Sequence, residues 1–237
     1  MKRFYGTAAV ATGKDRIAVE LDGRPVRTPE RQDLTFPTRA LADASAAEWN
    51  RQEDELDMAA MPMTAFCYAA IDRIGRNMEQ FAEETARFAE TDLLCYRAPG
   101  PAALRARQAA VWDPILAWLK AQRQAPLTIV EGIMPVTQPK ASLQSIRKAF
   151  GELDAFQLTA AHSVARIVGS AGITLAVMAG ELDAAAAAEA ADIDDAFQLE
   201  KWGEDEAARA LINRRHDDLV EVGRFLQLLR QNDAGSN

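Results

Sequence analysis

The acidic stretch from Glu181 to Glu206 contains the side chains that could most readily do chemistry. It holds ten carboxylates against one base, Lys201, whereas all 237 residues together carry a net charge of −8. Asp192 and Asp195 are three residues apart, so on a helix they share a face and could converge on Mg²⁺ or Ca²⁺. Such a site needs further oxygen ligands from another element. A carboxylate-metal hydrolase is therefore one hypothesis, and a solvated helix face is the simpler alternative.

Other catalytic arrangements have little support. Of the two histidines, His162 lies in an apolar run that predicts a core position, and His216 forms an HD pair with Asp217 but lacks further histidine ligands. Cys67 and Cys95 are isolated, which predicts buried, reduced thiols. The chain contains no GxSxG, GxGxxG or GxxxxGK motif. We therefore expect no enzymatic activity, no cofactor, no metal and no nucleotide.

Composition narrows the class of protein. The chain is 49% hydrophobic and 26% charged, which is typical of a globular protein. Its net negative charge, without a basic patch, argues against nucleic acid as a partner. The longest uncharged run, residues 167–180, is too short to cross a bilayer. The N-terminus lacks the apolar core of a secretory signal, so we expect a cytoplasmic protein. We also expect it to be a monomer without membrane insertion.

The N-terminal segment has the pattern of a small β unit. Residues 17–21 alternate apolar and polar side chains, and Asp22-Gly23 supplies a tight hairpin turn. Pro25 and Pro29 exclude a helix there. The first helix is predicted to begin after an N-cap at Thr38.

The remainder of the chain has helical periodicity, with apolar residues at steps of three and four. Asp154 and Asp183 are predicted N-caps, and the helix that follows Asp183 should end at Gly203. The predicted fold class is α+β. We expect a small antiparallel β-rich N-terminal domain with one helix, a larger multihelical C-terminal domain and a flexible tail, at residues 1–68, 69–232 and 233–237.

The acidic helix also has the composition of an interface. Ile193 and Phe197 are four residues apart and should face the core. An exposed Trp beside charge is typical of partner contacts. The alternative is that the large apolar side chains of the opposite face are buried against the last helix. That opposite face mixes acids with large apolar groups: Asp192, Asp195, Leu199 and Trp202.

One ordered set of residues on this helix resembles a known signature. The pattern Asp195-x-x-Gln198-x-x-x-Trp202-Gly203 is similar to the C-terminal signature of the assembly chaperones for the F(1)-ATPase α-subunit. The resemblance extends from Phe4 to about residue 229. Further strings similar to this family occur in the same order: FYGTAAV, LDGRPVRTP, AAEWNRQ, MPMT, TDLLCYRA and QAAVWDPILAW.

The resemblance implies an ATP-independent chaperone rather than an enzyme. Such proteins bind the unassembled α-subunit, prevent its aggregation and are displaced during assembly with the β-subunit. The family's functional acid corresponds to Asp195, which is Asp where Glu is more usual. An interaction module for another protein stays open beside the hydrolase hypothesis. The predicted partner-binding residues are Asp192, Asp195, Gln198, Leu199, Trp202 and Gly203.

Overall fold

The structure is a computed structural model that describes residues 1–13, 16–203 and 205–231. It contains a small antiparallel sheet near the N-terminus and is mainly helical after that, which confirms the predicted α+β class. The chain divides into two compact units. The first unit comprises Met1–Met78, Asp154–Ala160 and the chain from Arg224 onward. The second comprises Glu79–Leu153 and Ala161–Gly223.

An antiparallel sheet forms one layer of the first unit. Its strands are β1 (Ala8–Thr12), β2 (Ile17–Leu21), β3 (Arg24–Pro25) and β4 (Thr35–Phe36). The central strand, β2, pairs with each of the other three. Asp22 and Gly23 have φ values of 49° and 77° and connect Leu21 to its cross-strand partner Arg24. The predicted two-residue hairpin turn is therefore confirmed.

Helix α1 (Arg39–Arg51) packs across β1 and β2 and covers one face of this sheet. Thr38 Oγ1 accepts a hydrogen bond from the Leu41 N–H at 3.2 Å, which confirms the predicted N-cap. Trp49, near the end of the helix, is buried. The apolar face of α1 and the sheet thus form the core of the first unit.

A buried carboxylate joins α1 to the next helix, α2 (Pro62–Tyr68). Glu48 Oε1 accepts from the Met63 N–H at 2.8 Å, and Oε2 accepts from the Thr64 N–H at 2.9 Å. These are N–H groups that a helix leaves without partners in its first turn. Burial raises the pKa of Glu48, and the hydrogen bonds from Thr64 and Met63 oppose that rise. A π-helical segment, Ala69–Ile74, continues directly from α2.

Helices dominate the second unit, with only one short parallel strand pair among its described residues. The helices that follow α2 are α3 (Met78–Ala86), α4 (Ala102–Arg123), α5 (Lys140–Gly151), α6 (Ala155–Val168), α7 (Ala171–Ala179), α8 (Ala184–Trp202) and α9 (Glu206–Arg230). The paired strands are β5 (Tyr96–Arg97) and β6 (Val130–Glu131). The uncharged helix α7 is buried over most of its length and packs against α4 and α8. Parts of α6 and α9 belong to the first unit.

A second buried carboxylate holds the start of α7. Ser170 Oγ accepts from the Ile173 N–H at 3.0 Å, and Asp92 Oδ2 accepts from the Gly172 N–H at 2.9 Å. Asp92 Oδ1 accepts from the Leu94 N–H at 3.1 Å, and burial raises the pKa of this carboxyl. A Cβ at Gly172 would lie 2.8 Å from Leu94 Cδ1, so any other residue here would require the Leu94 side chain to shift. Asp92 therefore fixes two segments that are far apart in sequence.

Two further N-cap predictions are confirmed. Asp154 Oδ1 accepts from the Gln157 N–H, and Asp183 Oδ1 accepts from the Ala186 N–H, both at 2.8 Å. The predicted domain boundary after residue 68 stays a prediction. The predicted tail, 233–237, lies outside the described residues. Within the described part of the chain, no helix is long and apolar enough to cross a membrane.

Replacing Asp92 by Asn is expected to destabilise the protein by about 1–3 kcal/mol. The amide would keep the size of the carboxylate but replace one of its two acceptor oxygens by an NH2 group, which would then face the N–H of either Leu94 or Gly172. Urea unfolding followed by circular dichroism measures the loss. Asp218→Asn, at an exposed position on α9, is the matched control and should change stability by less than about 0.5 kcal/mol. Equal stability of the two variants would show that Asp92 does not hold α7.

Candidate functional site

Helix α8 carries every predicted partner-binding residue except Gly203, which ends it. The five alanines that follow the Asp183 cap are strong helix formers. Gly203 has a φ of 94°, which L side chains rarely adopt, and its N–H donates to the Leu199 carbonyl at 3.1 Å. The predicted end of the helix at Gly203 is therefore confirmed.

The face of α8 for which both exposure and burial were open is only partly exposed. Trp202 has 80% of its surface exposed, whereas Asp192 and Leu199 are buried at 3% and 8%. Gln198 is exposed, and the Asp195 side chain is about half exposed. Leu199 and Trp202 therefore have opposite environments, although the helical wheel placed them together. Ile193 and Phe197 are buried, as predicted.

An arginine on α9 explains the burial of Asp192. Arg215 Nη1 donates to Asp192 Oδ1 and lies 3.4 Å from Asp195 Oδ2. His216 Nε2 lies 3.4 Å from Asp192 Oδ2. Burial raises the pKa of Asp195, and the nearby charge of Asp194 raises it further. The two carboxylates considered as metal ligands are thus bridged by a guanidinium.

Other features bear on the metal hypothesis as well. The described residues include no group of three or more His, Cys, Asp or Glu side chains placed to hold a metal ion. His216 lies beside Asp192 and does not belong to a set of convergent ligands among the described residues. The arrangement therefore gives no support to the hydrolase hypothesis.

Helix α4 anchors the opposite side of α8. Arg107 forms a two-pronged ion pair with Glu200, with both N–O distances at 2.7 Å. Gln108 Nε2 donates to Asp194 Oδ1 at 2.7 Å, and the buried Trp112 Nε1 donates to the Ala190 carbonyl at 2.8 Å. Three successive turns of α8 are therefore tied to α4.

These anchors were not identified as site residues from the sequence. Arg107, Gln108 and Arg215 position α8 from two other helices. Gln108 and Trp112 occur in the string QAAVWDPILAW, which resembles the family, so that string held a signal for the anchoring side of α8. Arg215 follows Asp192 by 23 residues and has no local pattern that links the two.

A groove of about 850 Å³ lies between α4, α8 and α9 within the second unit. Its apolar surface includes Val111, Ile193 and Ile212, and its edges carry charged side chains such as Glu189 and Asp217. This groove lies on the side of α8 that contains Ile193, away from Gln198 and Trp202. Helix α8 thus has a charged, partly apolar groove on one side and an exposed Trp on the other.

The remaining chemical candidates are structural. Both cysteines are free and buried, as predicted, and burial raises the pKa of Cys95 to about 12. His162 packs edge-on against Phe81 with ring centroids 5.1 Å apart and shares a hydrogen bond with Thr85 at 3.2 Å. The buried thiols therefore lack the exposure of a reactive group.

The comparisons with known proteins all lead to one family. The model of the ATP12 chaperone protein family matches residues 2–120. Atp12 from Paracoccus denitrificans is 38% identical, with 97% of this chain and 98% of that chain covered and a TM-score of 0.92; a mutant of that protein gives the same values.

Two further relatives extend the similarity. A protein from Agrobacterium tumefaciens is 36% identical, with 95% of this chain and 86% of that chain covered and a TM-score of 0.86. The mitochondrial protein atp12 of Schizosaccharomyces pombe is 23% identical over 224 residues, which cover 90% of this chain and 77% of the yeast protein. The chain therefore belongs to the ATP12 family of chaperones, which act in the assembly of the F(1)-ATPase.

Proposed function

We propose that this protein binds the unassembled α-subunit of the F(1)-ATPase, prevents its aggregation without using ATP, and is displaced when the β-subunit arrives. The contact surface is the exposed side and C-terminal end of α8: Asp195, Gln198, Trp202 and Gly203. Asp192 and Leu199 belong to the site as supports, because both are buried on the same helix. The protein acts as a monomer in the cytoplasm and not as an enzyme.

The exposure of Trp202 is the observation that carries this proposal. A Trp with 80% of its surface in water, on a helix rich in carboxylates, represents apolar area that binding would remove from solvent. Because α8 is tied to α4 and to Arg215, the side chains next to Trp202 are already ordered. Binding then costs little further ordering of the chaperone.

The charges around Trp202 suit a temporary complex. An unassembled subunit exposes an apolar interface that aggregates unless it is covered. Surface carboxylates such as Asp195 accelerate the encounter with a partner and disfavour incorrect partners. They add little apolar area to the interface. One large exposed side chain among charges therefore gives specific binding that the β-subunit, with a larger interface, can overcome.

The Trp202→Ala variant is expected to bind the α-subunit about 30-fold more weakly, which corresponds to the loss of about 2 kcal/mol at an interface hot spot. Trp202 is mostly exposed, so the variant should keep the melting temperature of the unchanged protein. Light scattering of isolated α-subunit at increasing chaperone concentration measures protection. Full protection by Trp202→Ala would exclude this residue as a contact.

Asp195→Lys and Asp195→Asn separate charge from shape at the same position. We expect Asp195→Lys to slow association strongly and Asp195→Asn to slow it less, because the first reverses the local charge and the second only removes it. The same charge reversal at exposed Glu79, in α3, is the control and should leave association unchanged. Association rates at low and high salt measure the effect. Equal rates for the Lys variants at the two sites would contradict the assignment of Asp195.

The complex should form equally well with and without ATP and Mg²⁺, because the described residues offer no phosphate-binding loop or convergent metal ligands. Adding purified β-subunit should then release the chaperone, with α–β complexes forming in proportion. Size-exclusion chromatography of the mixtures measures both steps. A complex that requires ATP, or that retains the α-subunit in excess β-subunit, would refute this mode of action.

A further inference from the structure

The first unit contains a groove of about 800 Å³ that is separate from α8. It lies beside the N-terminal segment and β3, above the buried indole of Trp49. Met1, Phe4 and Met58, which line it, are among the large hydrophobic side chains that the described part of the chain leaves exposed, at 77%, 66% and 42%. Three exposed apolar groups therefore meet at one groove.

The exposed aromatic residue of this groove is held in a fixed backbone. Arg3 donates from its guanidinium to the carbonyls of Tyr5, Gly6 and Gln52 at 3.1, 2.6 and 2.5 Å. The Arg3 N–H donates to the Asp54 carbonyl at 2.9 Å. Phe4 is thus exposed although its neighbours in the chain are bound on both sides. An ordered apolar side chain in water is typical of an interaction surface.

A ladder of aromatic rings leads from the surface to the core. Phe4 and Tyr5 pack edge to face with centroids 5.5 Å apart, and Tyr5 packs on Trp49 in the same way at 5.5 Å. The Tyr5 hydroxyl donates to the Trp49 carbonyl at 2.6 Å. These contacts order the aromatic side chains at the groove before any partner binds, which lowers the cost of binding.

The charge at this groove has the opposite sign to that of α8. The charged lining residues are Arg24, Arg27 and Asp22. The Asp22 carboxylate accepts from the N–H groups of Gly6 and Thr7, both at 2.9 Å, and these bonds lower its pKa. Asp22 therefore keeps its negative charge but is already bound by the backbone. Arg27 is engaged as well, because it pairs with Asp33 at 3.7 Å and donates to the Arg31 carbonyl at 3.1 Å. Arg24 is exposed at the rim and carries the positive charge that a partner would meet. The groove thus favours a partner that carries carboxylates, on a chain whose net charge is −8.

The prolines of this region exclude one mode of peptide binding, the addition of a β-strand. Pro25 and Pro29 line the groove and have no N–H to donate. A peptide cannot form a regular strand ladder along a segment interrupted in this way. Recognition must then come from side chains in the apolar groove and from charge at its rim.

We propose that this groove is a second interaction surface, which holds an apolar peptide segment of a partner protein that also carries carboxylates. Apolar side chains of that segment pack between Phe4 and Met58, and a carboxylate lies against Arg24. The surface operates independently of α8, so it adds a contact that the proposed α-subunit site does not include.

Fluorescence anisotropy with two labelled peptides tests this assignment on the full chain. One peptide is rich in leucine and glutamate, and the other has lysine in place of every glutamate. The glutamate peptide is expected to bind about tenfold more tightly, which corresponds to about 1.4 kcal/mol. Arg24→Glu should abolish that preference, and Phe4→Ser should weaken the glutamate peptide about tenfold.

Two control variants show whether the effects are specific to the groove. Arg87→Glu and Ile133→Ser make the same changes at exposed positions of the second unit and should bind both peptides like the unchanged chain. Absence of peptide binding, or equal effects of the groove and control variants, would overturn the proposal. A change in sedimentation of the chain alone on Phe4→Ser would overturn it too, because a second copy would then occupy the groove. Neither peptide has a sequence of the α-subunit, so each of these three outcomes leaves the proposed function intact.

Discussion

The carboxylate of Asp92 is the constraint on which the second unit depends. A fully buried carboxylate is costly unless its oxygens are hydrogen-bonded, and here they accept from the N–H groups of Leu94 and Gly172. These bonds set the start of α7, which is uncharged and packs between α4 and α8. Because α8 rests on α7 and α4, the position of its exposed end follows from a contact far from Trp202 in the sequence.

Helix α8 shows how one helix can serve several environments. Asp192 is buried because Arg215 from α9 compensates its charge, and Leu199 is buried as well. Trp202, almost one turn further along, lies past these contacts and has no such cover. The carboxylates of this helix therefore have different roles. Asp192 and Asp194 fix the helix, Glu200 pairs with Arg107, and Asp195 stays partly exposed.

Local signals in the sequence predicted local structure well. The Asp-Gly hairpin and the caps at Thr38 and Asp183 each depend on residues within a few positions, so the sequence alone was enough to predict them. The burial of Leu199 was one of two open alternatives, since a helical wheel gives the direction of Leu199 and Trp202 but does not show which of them is covered. The same limit applies to Arg215, which meets Asp192 across two helices, and to the strands β5 and β6, which pair across more than thirty residues.

The two proposed surfaces differ in charge, and that difference bears on specificity. The exposed end of α8 carries Asp195, whereas the rim of the N-terminal groove carries Arg24. A segment rich in carboxylates is therefore disfavoured at α8 and favoured at the groove, and a basic segment has the reverse preference. Each surface thus selects its own segment by charge, in addition to the apolar contacts that Trp202 and Phe4 offer.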